Sequence, residues 1–307
     1  MYNWKIIGHK KQIGAIEQDM KTDNLSHAYL FAGPSGIGKF AIAKMFVNIL
    51  QCPNNLCHEC PTCIQIQKDG HPDTIVLKDT EESIKIEQIR EIITKLNMTA
   101  QGKYKVLLIK KAERMTPEAA NCLLKTLEEP PANTMIVMTT DNARLILPTI
   151  ISRVRLLKFN AYSTGFLEEK LADLFPDTNQ ETLKQICSLS LGKSGKAIKL
   201  LRNADLLASY RTMYNVLCEF LEDTPIYRKF NVIEDILKEK KDVNEFLDTF
   251  THLIRNRLYQ GGSDGSNKDK EQYLISLLEE VENTKTLLSH NVNAKLALEN
   301  LALKTIL

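Results

Sequence analysis

Over the first half of the chain, short apolar runs alternate with stretches whose apolar residues recur at helical spacing. The runs are His27–Ala32, Asp73–Lys78, Tyr104–Ile109, Thr134–Thr139 and Val154–Phe159. Each is apolar at consecutive positions rather than at every second one, as a strand covered on both faces requires. The helical stretches are Lys10–Met20, Lys39–Leu50, Ile86–Leu96 and Pro117–Leu127; in the third, Ile86, Ile89, Ile93 and Leu96 form one apolar face. This alternation predicts an α/β unit with a parallel sheet and crossover helices. After Phe159 the strand signals stop. Ser163–Phe175, Asn179–Leu191 and Ser194–Asn203 read as a three-helix unit, and Asp205–Leu221, Arg228–Lys240, Val243–Tyr259, Lys270–Thr286 and Asn291–Ile306 as a five-helix bundle. The expected domains are therefore 1–160, 161–204 and 205–307. The polar, low-complexity stretch Gly261–Lys268 reads as a mobile loop between helices.

Composition narrows the class. The 307 residues are 43% hydrophobic and 25% charged, which is the globular average and excludes general disorder or a fibrous repeat. Forty Lys plus Arg against thirty-eight Asp plus Glu leave a net charge of +2, so any contact with nucleic acid must be local. No apolar run reaches the ~18 to 20 residues that span a bilayer. The start, Met1-Tyr2-Asn3-Trp4-Lys5, has no signal-peptide apolar core. A cytoplasmic protein with no membrane partner is expected. Of seven cysteines, four crowd between Cys52 and Cys63, while Cys122, Cys187 and Cys218 lie among apolar helical residues. That is a metal site plus three buried thiols, not a disulfide framework.

Gly33-Pro34-Ser35-Gly36-Ile37-Gly38-Lys39-Phe40 follows the run Tyr29-Leu30-Phe31 and opens a helix. In that setting Gly33, Gly36 and Gly38 let backbone amides surround a phosphate at the positive end of a helix, and Lys39 reaches the terminal phosphates. The last position should carry a hydroxyl for Mg²⁺; here it is Phe40. After Val106-Leu107-Leu108-Ile109, an Asp for Mg²⁺ and a Glu that polarises water should follow, and Lys110 and Lys111 stand there instead. Two cations repel a dication and cannot act as a base. Glu113, two residues further on, reads as a solvated charge at a helix start in preference to a displaced acid. The loop can cradle phosphate, whether ATP or ADP occupies it stays open, and no Mg²⁺-dependent hydrolysis is expected.

Cys52, Cys57, Cys60 and Cys63 have the spacing C-x4-C-x2-C-x2-C between turn formers. Four thiolates so close can form a tetrahedral shell, which suits a structural Zn²⁺ with no open position for catalysis. An iron–sulfur cluster and four free thiols are the alternatives. His58 and His71 read as neighbours of the site, not ligands.

Taken together, these residues resemble the clamp-loader branch of the AAA+ ATPases, most closely its bacterial delta-prime group. The resemblance rests on His27-Ala28-Tyr29-Leu30-Phe31 before the phosphate loop, the four-cysteine insertion after it, and Gly70-His71-Pro72-Asp73. It continues through Ala119 to Pro131, with its specific string Leu123-Leu124-Lys125-Thr126-Leu127-Glu128-Glu129-Pro130, and Ile151-Ser152-Arg153. It is dense over residues 5 to 160, weaker to about 204, and only architectural beyond. It implies a P-loop AAA+ domain at 1–160 with a zinc module at about 52–63, a helical lid at 161–204 and an all-α collar for oligomerisation at 205–307. It also implies a non-catalytic stator in the DNA polymerase III clamp loader, which places a sliding clamp on primed DNA. Implied partners are the gamma/tau ATPase subunits, the delta subunit, the clamp and primer-template DNA. Arg153 would be an arginine finger acting in trans on a neighbour's ATP, with Arg155 as an internal comparison; the family's cysteine after that arginine is Val154 here. Thr140 and Asn142 occupy the polar-sensor region or serve as loop hydrogen-bonders, and Lys196 is either a loose match to the second sensor or a solvated lysine at a helix start. The competing readings are an active gamma/tau-like motor ATPase, and a zinc-containing nucleic-acid-binding regulatory protein with a relic P-loop.

Overall fold

The computed structural model describes residues 2–4, 6–54, 56–79, 82–222, 225–238, 243–261, 268–289 and 292–305. Five parallel strands, β1 (Ala28–Ala32), β2 (Thr74–Leu77), β3 (Lys105–Ile109), β4 (Thr134–Thr140) and β5 (Arg155–Lys158), form one sheet in the order β2-β3-β4-β1-β5. Helices α1 (Lys10–Lys21), α2 (Lys39–Gln51), α4 (Ile86–Leu96) and α5 (Pro117–Glu128) match the expected segments. The sheet is apolar on both faces because successive strand residues point to opposite sides. Tyr29, Phe31, Val106, Leu108 and Val137 pack with Phe46 of α2 on one face. Ala28, Leu30, Leu107, Ile109, Ile136 and Met138 pack with Ile89 of α4 and Leu123 of α5 on the other.

Two short helices escape the sequence reading. One, α3 (Pro61–Gln67), lies inside the cysteine module, where only turns are expected. Cys60 caps it, accepting the Cys63 N–H on its sulfur, and Pro61 fills its first turn, where a missing N–H does no harm. The other is α6 (Pro148–Ile151), just before Arg153.

Helices α7 (Thr164–Leu174), α8 (Gln180–Ser190), α9 (Ser194–Arg202), α10 (Ala204–Phe220), α11 (Ile226–Lys238), α12 (Val243–Gly261), α13 (Lys268–Ser289) and α14 (Ala294–Lys304) complete the chain. Gly261 ends α12 and Lys268 opens α13; the expected loop at 262–267 lies outside the described residues. The chain divides into two compact units, Met1–Leu183 with Gly192–Ile198, and Lys184–Leu191 with Lys199–Leu307. The second has its own core, in which Phe220, Phe246 and Phe250 pack with Leu277, Val281 and Leu301. Within it the ammonium of buried Lys229 donates to the Thr305 carbonyl (3.0 Å) and hydroxyl (2.9 Å), placing a cation at the C-terminus of α14, where the helix dipole favours it. Among the described residues no helix is long and apolar enough to cross a membrane.

Candidate functional site

The phosphate loop leaves the C-terminal end of β1, between β4 and β5, where open parallel sheets place their ligands. The Gly33 N–H donates to the Thr140 carbonyl at 3.2 Å, which ties the loop to the end of β4. Gly36 (φ 80°) and Gly38 (φ 101°) are left-handed, so a side chain at either would strain the turn that caps α2. Lys39, buried at the start of α2, donates to the Gly33 carbonyl (2.6 Å), the Pro34 carbonyl (2.8 Å) and Asp141 Oδ1 (2.8 Å).

Glu113 is not the solvated charge expected of it. Lys111 is left-handed (φ 55°) and turns Ala112–Arg114 back over the strand ends, so that Glu113 Oε1 accepts the Asp141 N–H at 3.0 Å. Burial lowers the pKa of Lys39, against the pull of Asp141 and Glu113. Phe40 stands where a Mg²⁺ ligand belongs, with Lys44 Nζ 5.5 Å and Lys110 Nζ 5.8 Å from its ring centre. Asp79 gathers the remaining cations, pairing with Lys110 (3.8 Å), Lys111 (3.0 Å) and Arg114 (2.7 Å).

A segment from the start of α9 lies directly on the loop. Ser194 Oγ donates to the Ile37 carbonyl (3.0 Å) and the Lys196 N–H to the Gly36 carbonyl (2.7 Å). A β-carbon on Gly195 would sit 2.8 Å from the Gly36 oxygen and 2.9 Å from the Gly38 nitrogen, so only glycine permits this approach. Lys196 thus reaches the phosphate loop through its main chain. Thr140 and Asn142 bond within their own loop, the Asn142 N–H to Thr140 Oγ1 (3.2 Å) and the Arg144 N–H to Asn142 Oδ1 (3.0 Å).

The four module cysteines converge, with all four sulfurs within 4.8 Å of one another. Cys52 Sγ lies 3.7 Å from both Cys57 Sγ and Cys60 Sγ. Sulfurs ~2.3 Å from one tetrahedral ion stand roughly 3.8 Å apart, so the cluster fits a four-thiolate metal site. The backbone N–H groups of Glu59 and Cys60 lower the Cys57 thiol to about 6. Burial pushes Cys52 up, but the N–H groups of Cys57 and Asn54 outweigh it and the net shift is downward. Burial raises Cys63. Leu56 and Ile66 pack into the core beneath the sheet, so the module is docked as well as cross-linked. His58 bonds the Asn3 carbonyl (3.0 Å), and His71 Nδ1 accepts from the Asp73 N–H (3.3 Å); neither joins the sulfurs. Buried Asp73 accepts the N–H groups of Gln101 (2.9 Å) and Gly102 (2.7 Å) and fixes the turn into β3.

Arg153 follows α6 at the foot of β5. Its guanidinium meets Glu128 Oε1 through Nε (2.9 Å) and Nη2 (2.6 Å), and donates through Nη1 to the Thr149 carbonyl (2.9 Å) and Ser152 Oγ (3.1 Å). Arg155 is not an inert comparison for it. Its Nη1 pairs at 2.6 Å with buried Asp19, whose other oxygen accepts from the Tyr29 hydroxyl at 2.8 Å. Burial is the main reason that Tyr29 is pushed up beyond the usual phenol range, with Asp19 adding to it. Removing Arg155 strands a buried carboxylate, so Arg155→Ala is expected to lower stability by about 2 kcal/mol in urea denaturation. Loss of activity with unchanged stability would contradict that structural role.

The family model for the DNA polymerase III delta subunit matches residues 8–163. DNA polymerase III subunit gamma of Buchnera aphidicola is 31% identical over 282 residues, 89% of this chain and 74% of that protein. Two subunits named delta' are similar: that of Pseudomonas aeruginosa is 36% identical over 57% of this chain and 56% of its own length, and that of Bacillus subtilis 28% identical over 94% and 93%. A crystal structure of a gamma-subunit-related protein from Thermotoga maritima covers 95% of the chain with a TM-score of 0.56 at 21% identity, and shares the fold.

Proposed function

The chain belongs to the DNA polymerase III delta-subunit family, as a delta-prime-like clamp-loader subunit, and from that premise we propose that it is a non-hydrolysing stator. In this role it would work in an assembly with gamma/tau motor subunits and a delta subunit that loads a sliding clamp onto primed DNA. Residues 161–204 would be its lid and 205–307 its oligomerising collar. The observation that carries the reading is the state of the phosphate loop: Lys39 is bonded to its own loop and to Asp141, Phe40 replaces the hydroxyl, and Lys110 and Lys111, where acids belong, pair with Asp79.

The chemistry the subunit contributes is then external. Arg153 is held by Glu128 in an ion pair with solvent access on both sides, 35% and 50% exposed. Such pairs are worth about 0 to 1 kcal/mol, so a phosphate group presented by a neighbour can draw the guanidinium away. A structural Zn²⁺ on Cys52, Cys57, Cys60 and Cys63 would cross-link the module that follows α2, with no part in the reaction.

Purification of the tagged full-length chain from its own cells tests the reading. Recovery within an oligomeric ATPase that binds a clamp is expected. A monomer that hydrolyses ATP by itself would favour a motor, and tight DNA binding by the chain alone a nucleic-acid-binding regulator.

A further inference from the structure

We propose that Asp141 is a built-in substitute for phosphate, an autoinhibitory carboxylate that occupies Lys39 and denies the loop to anions. This rests on the silent-site reading above and deepens it: that reading says why a bound nucleotide is not hydrolysed, and this one why none binds.

An ammonium has three N–H donors and no acceptor. Lys39 has three partners at hydrogen-bond length, the carbonyls of Gly33 and Pro34 and the carboxylate of Asp141, and only 6% of its side chain is exposed. Two partners belong to the loop itself, and the third comes from 102 residues away, off the end of β4. No donor is left for a phosphate oxygen. Only the carboxylate carries the charge that phosphate would bring, so it is the partner with which phosphate competes.

Asp141 is also held in place. Its backbone N–H is fixed by Glu113 Oε1 from the turn after β3, so two acids from adjacent strand ends stand together, one bonded to Lys39 and the other acting on it by charge alone. An incoming pyrophosphate group would meet both, and close like charges repel strongly where burial limits screening. Burial lowers the pKa of this lysine, and the same acids oppose the shift. Across the site, Lys111 is engaged by Asp79 and adds to the positive field at Lys39. The cationic setting for an anion persists, and the internal anion already fills it.

The test is calorimetric titration of inorganic pyrophosphate into the full-length chain in chelator-free buffer without added Mg²⁺, since Phe40 and the two lysines leave no Mg²⁺ requirement. The unsubstituted chain should show no saturable binding at millimolar pyrophosphate. Asp141→Ala and the shape-conserving Asp141→Asn should both bind at least about tenfold more tightly. A further Lys39→Ala should abolish the gain. If Asp141→Ala melts early, Asp141→Asn decides alone. The inference is overturned if a folded Asp141 variant binds no better than the unsubstituted chain, or if the gain survives Lys39→Ala. It is also overturned if the unsubstituted chain already binds pyrophosphate through Lys39; the silent-site reading would survive that result, and falls only if the chain turns over ATP.

Discussion

If Arg153 is the finger proposed above, replacing it by Ala in the assembled clamp loader should slow ATP hydrolysis at the neighbouring site it would serve by roughly 10³ to 10⁵, the range for arginine fingers acting in trans. The guanidinium would stabilise charge on the transferring phosphoryl group, and that charge develops only in the transition state. Total hydrolysis should fall partially, as expected where other subunits would supply fingers to other sites, and clamp loading should fall further. Exposed Lys158, at the end of β5, provides the charge-matched control Lys158→Ala. Arg155→Ala does not, because it leaves Asp19 uncompensated. Assembly with Arg153→Ala that loads clamps as well as Lys158→Ala would remove the finger assignment.

The second large effect concerns the cysteine module. Reduced, chelator-free protein should contain one equivalent of Zn²⁺, and Cys57→Ser plus Cys60→Ser should contain none. A metal that binds only the folded module stabilises it by about 3 kcal/mol when free metal is a hundredfold above the Kd, and structural zinc sites commonly exceed this. Leu56 and Ile66 anchor the module in the core of the sheet domain. The loss should therefore be local, with protease cleavage near residues 53–60 while the sheet domain remains folded. Less than about half an equivalent of zinc, or full metal content in the double variant, would contradict the site.

Where the sequence was readable, the interactions were local or repeated. All five strands could be read because both sheet faces are covered, leaving consecutive apolar positions such as Val106 to Ile109 that no amphipathic surface strand would carry. The sulfur cluster could be read because its four members lie within twelve residues. Helix α3 went unseen because its apolar residues, Ile64 and Ile66, are too few to set a period; the Cys60-Pro61 pair, a cap followed by proline, was the available signal. The roles of Glu113, Asp141 and Arg155 are illegible in the sequence for a different reason. Their partners lie 28 residues away for Glu113, 102 for Asp141, and on another element, α1, for Arg155. Nothing in the composition around a charged residue tells which distant backbone the fold will bring to it. The glycine at 195 was likewise visible, but its purpose, the close approach to Gly36 and Gly38, exists only in three dimensions.

On the proposed reading this chain would lend chemistry to a neighbour and perform none at its own phosphate loop. Steady-state hydrolysis of ATP by the purified full-length chain, with Mg²⁺ and without other subunits, measures it most directly. Turnover indistinguishable from background, in the unsubstituted chain and in Lys39→Ala alike, is the predicted result; a rate of ~1 s⁻¹ that disappears on Lys39→Ala would contradict it.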